Sequence, residues 1–216
     1  MVVSLRALAF LLGFPREKLV EVALTAEDYY RPFTKKTSAT KIRNIDNPTG
    51  ELKEIQRRIY IHLLKHLNLP EHLHGGVRGR SPLTNAQALC GRKYLVRIDV
   101  KDFFPSITQR QILKAWLELG CGRDVARLLT ALTVYRGYLP QGAPTSTLLA
   151  NLVLLKADHR IKKQLNPRII EYKRFVDDIA LSGDHPGQLI NTVVREIRRD
   201  GFRTKHKKLQ IMGRGT

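Results

Sequence analysis

Two adjacent carboxylates, Asp177 and Asp178, lie in the middle of an otherwise apolar stretch of the sequence. The residues around them predict two short β-strands, 169–175 and 179–182, with the acidic pair at the bend. Neighbouring carboxylates raise each other's proton affinity, and partial burial adds to this effect. A divalent cation would reverse the effect by holding both groups ionised. The alternative is a solvated Asp-Asp turn without a ligand.

A third carboxylate, Asp99, ends a predicted strand at 94–99. From residue 93 onward the pattern is strand, helices, strand–turn–strand, helix and strand, which is the β-α-β-β-α-β order of ferredoxin-like sheets. In such a sheet the first strand neighbours the hairpin, so Asp99 is expected beside Asp177 and Asp178. Three converging carboxylates predict a two-metal site for phosphoryl transfer.

The charge of the chain favours nucleic acid as a partner. Lys and Arg number 38 against 19 Asp and Glu in 216 residues, which gives a formal net charge of +19. Such an excess repels itself unless a polyanion screens it; an acidic membrane surface or plain solubility is the alternative. The basic residues are spread along the chain, which indicates a lined channel rather than a basic tail. A hydrophobic content of 43% excludes a disordered tail.

The sequence gives no indication of a zinc site, a disulfide or a membrane span. Cys90 and Cys121 lack metal-type spacing, and the 7 histidines form no ligand cluster. No stretch approaches the ~20 apolar residues that a membrane span needs, and the apolar start of the chain lacks a secretory cleavage site. We therefore expect a cytoplasmic protein with reduced thiols and no membrane partner.

Two further segments have the composition of phosphate-binding elements. The run 35–43 predicts a basic hairpin in which Lys41 and Arg43 project from one side of a strand. The loop 74–82 combines glycines, which allow a phosphate to approach the backbone, with the forked donors of Arg78 and Arg80. A solvated basic face and a flexible surface loop are the respective alternatives, and each segment taken alone leaves both open.

Amphipathic patterns predict helices through most of the remaining chain, with a capping box formed by Thr108 and Gln111. A basic strand is predicted at 202–212. The predicted helices cover residues 4–24 with a break at 13–15, 51–67, 83–89, 109–119, 124–135, 146–165 and 188–200.

Four segments, in this order along the chain, resemble the reverse transcriptases, and within them the bacterial retron and group II intron branch. They are 74–81 (HGGVRGRS), 97–107 (RIDVKDFFPSI), 139–146 (LPQGAPTS) and 175–178 (FVDD), the last standing where the family has Tyr-x-Asp-Asp. The resemblance implies an α+β right-hand polymerase. Residues 1–92 would form a helical N-terminal region and fingers, and residues 93–216 a palm with a ferredoxin-like, mostly antiparallel core.

The resemblance also implies roles for single residues. Asp99 and Asp177 would bind two Mg²⁺ ions, or Mn²⁺ in their place, helped by the Val100 carbonyl and by Asp178. The resemblance implies nucleotide contacts from Lys41, Arg43, Val100, Phe104 (which excludes a 2′-hydroxyl), Gln141 and Gly142. It also implies nucleic-acid contacts from Arg78, Arg80 and Phe175, and proton donation to pyrophosphate from Lys208. The alternative for Phe104 is a core aromatic without a ligand, and the alternative for Lys208 is a solvated lysine.

The implied function is RNA-directed DNA polymerisation, in which deoxynucleotides extend a DNA or RNA primer on an RNA template. Retron resemblance further implies a structured non-coding RNA and a role in phage defence. The family continues into a helical thumb where this sequence ends, so we expect fingers and palm without a thumb, completed by another segment or a protein partner. The alternative function is a truncated, catalytically weak family member that acts as an RNA-binding module; an RNA-templated RNA polymerase is a third interpretation.

Four single-residue departures from the family pattern accompany the resemblance, and one of them is Thr147, which stands where proline is usual after Thr-Ser. Phe175 replaces the usual tyrosine, so its hydroxyl is lost although the ring can still pack. Leu89 stands where the retron pattern has histidine, and Lys205 replaces a common asparagine of the last palm strand.

Overall fold

The computed structural model describes residues 1–38, 41–205 and 210–213. Helices and strands are mixed along this chain, as predicted. In order they are α1 (Leu5–Leu12), α2 (Arg16–Leu24), β1 (Tyr30–Ser38), β2 (Lys41–Pro48), α3 (Gly50–Ile59), α4 (Pro82–Leu89), β3 (Tyr94–Asp99), α5 (Phe103–Ser106), α6 (Gln109–Glu118), α7 (Arg123–Thr133), α8 (Ser146–Lys163), β4 (Ile170–Phe175), β5 (Asp178–Gly183), α9 (Ile190–Arg199) and β6 (Gln210–Gly213).

The chain divides into two compact units. The first consists of residues 1–67 and 104–153, and the second of residues 68–103 and 154–216. The predicted division into fingers and palm at residue 92 is a functional one and stays a prediction. Within the described ranges, no helix has both the length and the apolar character that crossing a bilayer requires.

The first unit packs helices α1, α2, α3, α6 and α7 around an apolar core and carries the antiparallel β1–β2 hairpin. Each fully buried aliphatic side chain contributes about 1.5–3 kcal/mol to this core. The core residues include Leu8, Leu12, Leu19, Leu52, Ile55, Ile112, Trp116, Val125 and Leu129.

The capping box predicted before α6 is confirmed. The Thr108 hydroxyl accepts a hydrogen bond from the Gln111 backbone N–H, and the Gln111 side chain accepts one from the backbone N–H of Thr108 at 2.8 Å. Two otherwise unpaired backbone donors are thereby satisfied, which fixes where the helix begins.

The helix predicted over 51–67 ends differently. After α3 the chain continues as a π-helical turn, Tyr60–Leu64, in which the Lys65 N–H donates to the Tyr60 carbonyl at 2.7 Å. The adjacent Leu63 and Leu64 are both buried. The α-helical part of the predicted helix therefore ends at Ile59, and a wider turn follows it.

The second unit is built on a four-stranded sheet with the strand order β4-β5-β3-β6, and every neighbouring pair is antiparallel. The prediction of a mixed chain with a mostly antiparallel sheet is confirmed. Strand β4 alternates regularly, with Ile170, Tyr172 and Arg174 buried and the residues between them half-buried. An arginine therefore occupies an inward-facing position of this strand.

Among the described residues, the strand predicted over 202–212 corresponds to β6, Gln210–Gly213, while residues 202–205 do not form a regular strand. Before it, Phe202 is buried against Phe103, and Thr204 forms an isolated antiparallel bridge with Val100. The chain thus pairs irregularly with the residues after β3 before β6 joins the sheet. Residues 206–209 lie outside the described part of the chain.

Candidate active site

Three carboxylate residues meet at one end of the four-stranded sheet. Strands β3 and β5 pair in a register that sets Asp99 opposite Asp178. One residue further on, the Val100 N–H donates to the Asp177 carbonyl at 2.9 Å. The two acidic segments, remote in sequence, are therefore joined by main-chain contacts, and the structure brings together the three residues that the sequence predicted.

The environment of Asp177 disfavours its charge. Burial is the main effect that raises the pKa of this carboxyl, and the negative charge of Asp99 raises the pKa further. Lys205 acts in the opposite direction. A like-charged carboxylate and partial desolvation are the conditions under which a bound cation lowers the free energy of a site.

Two basic side chains form ion pairs with the other two carboxylates, those of Asp99 and Asp178. The Lys205 Nζ lies 2.8 Å from Oδ1 of Asp99. The Arg97 guanidinium pairs with Asp178, and this hydrogen bond raises the pKa of Arg97. The sequence had singled out Lys205 only as a departure from the family pattern, and Arg97 not at all.

The donor set suits a hard divalent cation. Asp99, Asp177 and Asp178 offer only oxygen ligands, which Mg²⁺ and Mn²⁺ prefer. Among the residues that the structure describes, no three acidic, histidine or cysteine side chains already form a ready-made ligand cluster. We therefore expect cation binding to replace the contacts of Lys205 and Arg97 with these carboxylates.

The segment of Gln141 and Gly142, in the first unit, is held against strand β2. The Asp46 N–H donates to the Gln141 carbonyl at 2.8 Å, and the Asp46 carboxylate accepts from the Gln141 N–H at 3.3 Å. Burial raises the pKa of Asp46, and the hydrogen bond from Gln141 lowers it. Asp46 was not predicted from the sequence as a residue of this loop.

Gly142 is required by its surroundings. Its φ is 115°, and a Cβ atom at this position would lie 2.7 Å from Cγ2 of Ile45. The family resemblance implies that this glycine allows a nucleotide to approach the backbone closely. In the structure the close approach is that of β2, while the nucleotide contact predicted for Gln141 and Gly142 stays a prediction.

The remaining nucleotide-binding candidates, except Val100, also belong to the first unit. Phe104 is half-buried in α5, and Val100, which belongs to the second unit, is fully buried. Arg43 is exposed on β2, opposite Lys35 in the hairpin register. Lys41 is the first residue of β2. Their roles toward a nucleotide stay predictions.

The predicted nucleic-acid contacts fall on residues with different surroundings. Arg80 donates to three carbonyls of the segment before its loop, those of Leu69, Pro70 and Leu73. This arginine therefore has a structural role, which the composition of the loop 74–82 did not reveal. Arg78 is exposed, and Phe175 is half-buried at the end of β4. The predicted proton donor Lys208 lies outside the described residues.

Comparison with known proteins shows the family of this chain. Residues 34–215 match the family model described as "Reverse transcriptase (RNA-dependent DNA polymerase)". The chain belongs to the reverse transcriptase family. The three carboxylates of the sheet lie within the matched region, as does the Gln141–Gly142 segment.

The curated relatives include several retron reverse transcriptases. The retron Ec86 reverse transcriptase of Escherichia coli is 33% identical over 202 residues, which cover 91% of this chain and 63% of the relative. The retron Mx162 reverse transcriptase of Myxococcus xanthus is 31% identical, over 99% of this chain and 51% of the relative. The retron Mx65 enzyme of the same organism is 31% identical, over 87% of this chain and 49% of the relative. The chain thus spans about half to two thirds of the length of these reverse transcriptases.

One group of residues in this chain was missed entirely from the sequence. Arg174 and Asp158 form a fully buried ion pair next to the hairpin turn, which consists of Val176 and Asp177 and not, as predicted, of Asp177 and Asp178. The signal was present in the alternation of β4, which places Arg174 on the same face as Ile170 and Tyr172. No local rule identifies its partner, because Asp158 lies on helix α8.

Proposed function

We propose that this chain is the catalytic part of a retron-type RNA-directed DNA polymerase, which adds deoxynucleotides to a primer 3′-hydroxyl on an RNA template. The observation that carries the proposal is the register of β3 against β5, which sets Asp99 opposite Asp178 while Val100 bonds to Asp177. A carboxylate cluster at the end of a sheet, in a chain of net charge +19, fits phosphoryl transfer on a nucleic-acid substrate.

The carboxylates would hold the cations and the reacting groups in place. Two divalent cations, Mg²⁺ or Mn²⁺, bound by Asp99, Asp177 and the Val100 carbonyl, would lower the pKa of the primer 3′-hydroxyl and stabilise the departing pyrophosphate. Asp178, which pairs with Arg97, completes the acidic cluster. Lys205 would release Asp99 when the site is loaded and remain available as a positive charge for phosphate groups.

Nucleotide selection is proposed for residues of the first unit. The ring of Phe104 would exclude a 2′-hydroxyl by steric contact, and Gln141 with Gly142 would line the nucleotide site. Lys41 and Arg43 would contact the triphosphate from the basic hairpin. Asp46 supports this arrangement, because its hydrogen bonds to Gln141 couple the hairpin to the loop.

The sheet of the second unit is proposed to be the palm of a right-hand polymerase. The order β4-β5-β3-β6 with antiparallel neighbours, together with the β-α-β-β-α-β order along the chain, supports a ferredoxin-like palm. The names of the curated relatives support a retron setting. The template would then be a structured RNA and the role phage defence, as the family resemblance implies. Arg78 and Phe175 would contact the nucleic acid.

Primer extension tests the proposal. The wild-type protein is incubated with an RNA template, an annealed primer, deoxynucleotides and MgCl₂, and product lengths are resolved on a gel. We expect extension by the wild type and none by the Asp177→Ala/Asp178→Ala variant. Extension with equal rates by both proteins would refute the assignment. RNA binding by a wild type that incorporates no nucleotide at any enzyme concentration would favour the RNA-binding interpretation instead.

The choice of sugar provides a second arm of the same experiment. Phe104→Ala is expected to incorporate ribonucleotides more readily than the wild type, while its extension with deoxynucleotides persists. An unchanged preference between the two sugars would remove Phe104 from the proposed nucleotide site.

A further inference from the structure

The turn before Asp177 has a backbone conformation that its own residue disfavours. Val176 has a φ of 59° and is not a glycine. A β-branched side chain in the left-handed region is an outlier, because Cβ crowds the neighbouring backbone. Such a conformation persists only where the surrounding structure fixes it, and such positions cluster at functional sites. The contacts around Val176 should therefore reveal what holds the turn.

Arg174 connects this turn to helix α8. Its Nη1 donates to the Val176 carbonyl at 2.8 Å. On its other edge, Nε and Nη2 donate to the two carboxylate oxygens of Asp158, at 2.9 Å and 2.7 Å. Both Arg174 and Asp158 are completely buried. One planar guanidinium thus links a helix carboxylate to the carbonyl immediately before Asp177.

Asp158 is itself held by further hydrogen bonding. The Tyr172 hydroxyl donates to its Oδ1 at 2.6 Å, and Nε2 of His72 lies 3.4 Å from its Oδ2. Burial favours the neutral acid, but the charge of Arg174 and the hydrogen bonds outweigh burial and lower the pKa of Asp158 to about 2. The carboxylate is therefore ionised and can fix the guanidinium in one orientation.

A third segment supports the turn from another side. The Arg174 N–H donates to the His72 carbonyl, and the His74 N–H donates to the Arg174 carbonyl, at 2.8 Å and 2.9 Å. Next along the chain, a Cβ atom on Gly75 would lie only 2.7 Å from the backbone nitrogen of Val176. Residues 72–75 therefore pack directly against the turn, and only a glycine fits there.

We propose that Arg174, oriented by Asp158, is a positioning residue that holds the Val176 turn so that Asp177 stands beside Asp99 for cation binding. The inference rests on the proposed polymerase function and deepens it. Arg174 is called a positioning residue because neither it nor Asp158 would touch the reacting atoms. A buried ion pair that served stability alone could be replaced by apolar residues with little loss. What distinguishes this pair is the third bond of the guanidinium, which is made to the strained turn.

The first test compares Arg174→Lys with the matched control Tyr172→Phe. Lysine keeps a positive charge beside Asp158. Its ammonium group, however, lacks the planar array of donors with which the guanidinium hydrogen-bonds to Asp158 and to the Val176 carbonyl at the same time. Tyr172→Phe removes one hydrogen bond from Asp158 and leaves the Arg174–Val176 contact intact. For each folded protein, primer extension gives kcat and KM, and the change of Tm with MgCl₂ in the absence of nucleotide reports cation binding.

We expect Arg174→Lys to lower kcat by about 100-fold, with KM for primer–template changed less than about twofold, because a small misplacement of a catalytic group has an effect of this size. We also expect it to lose the Mg²⁺-dependent rise in Tm. Tyr172→Phe should keep both properties within about twofold of the wild type, even if its Tm is lower. Wild-type kcat and Mg²⁺ response in Arg174→Lys would overturn the proposal.

The paired variant Arg174→Met/Asp158→Val addresses folding separately. Removing both charges together avoids an unpaired buried charge, so this protein is expected to fold, with a Tm lowered by the loss of the partners of the Tyr172 hydroxyl and the Val176 carbonyl. It lacks the donor to the Val176 carbonyl and should show the same loss of kcat and of Mg²⁺ response. A folded paired variant with wild-type values would show that the ion pair is structural only.

The two proposals fail in different ways. A wild-type protein that incorporates no nucleotide refutes the polymerase function, and the Mg²⁺-dependent Tm shift then still tests whether Arg174 positions the carboxylates. A wild type that extends primers, together with variants that extend them equally well, refutes only the positioning role.

Discussion

The Lys205 Nζ lies 2.8 Å from Oδ1 of Asp99. The ammonium group is thus bound to a carboxylate that is proposed to bind a metal ion. Arg97 has the corresponding relation to Asp178. The two basic side chains neutralise carboxylates that would otherwise repel each other at the end of the sheet. A divalent cation that binds this site must compete with them.

This competition predicts that Lys205→Asn binds Mg²⁺ more tightly than the wild type. A partly exposed ion pair is worth about 0.5–1 kcal/mol, so the MgCl₂ concentration that gives half of the maximal Tm shift should fall by about two- to fivefold. The measurement is thermal unfolding against MgCl₂ without nucleotide. Lys101→Asn removes the same charge from an exposed lysine and serves as the control. An unchanged or higher midpoint in Lys205→Asn would contradict the competition.

The contact between Gly142 and Ile45 predicts a two-part destabilisation by Gly142→Ala. The φ of 115° strains any residue with a Cβ, and the new methyl group collides with the Ile45 side chain. We expect the free energy of unfolding to fall by about 1–3 kcal/mol, measured by urea denaturation.

The double variant Gly142→Ala/Ile45→Ala separates the two causes. Relative to Ile45→Ala alone, the glycine substitution should then have a smaller effect, because the steric part has been removed and only the backbone strain remains. Equal effects of Gly142→Ala in both backgrounds would show that the collision with Ile45 contributes nothing.

Buried His72 predicts that stability falls on mild acidification. Burial is the main effect that lowers the pKa of His72 below 6.5. Between the folded and the unfolded pKa, the unfolded chain binds more protons, so the free energy of unfolding decreases as the pH falls below about 6.5 and is constant above it. The slope reaches at most about 1.4 kcal/mol per pH unit for one histidine.

Urea denaturation at several pH values between 5 and 8 measures this slope. His72→Gln should reduce the slope, and what remains is expected from His74, whose pKa is also lowered mainly by burial. His62→Gln, at an exposed position, should leave the slope as in the wild type. A slope that does not change in His72→Gln would show that this histidine is protonated equally in both states.

The parts of the fold that sequence predicted are those governed by local rules. The strand ending at Asp99 and the hairpin around Asp177 and Asp178 follow from apolar runs and a polar bend. Thr108 and Gln111 identified a helix start by their spacing. The convergence of the three carboxylates followed from one further rule, the strand order that a β-α-β-β-α-β pattern allows.

The parts that sequence did not predict depend on which groups, distant in the sequence, form hydrogen bonds or ion pairs with a given side chain. The composition of the loop 74–82 suggested that Arg80 binds phosphate, but the Arg80 guanidinium donates hydrogen bonds to carbonyls of residues 69–73. Arg174 is a charged residue in a strand, and only the burial of Asp158 beside it explains its inward position. The contact of Asp46 with Gln141 joins segments that no periodicity relates.

The meeting of Asp99 with Asp177 is tested most directly by single-turnover incorporation of one deoxynucleotide opposite an RNA template in MgCl₂. Asp99→Asn and Asp177→Asn are compared with Asp184→Asn, an exposed aspartate just beyond β5. If the carboxylates share the cations, both Asp99→Asn and Asp177→Asn should lower the rate by at least about 100-fold, while Asp184→Asn stays within about twofold of the wild type. Incorporation by Asp99→Asn at the wild-type rate would contradict a shared site.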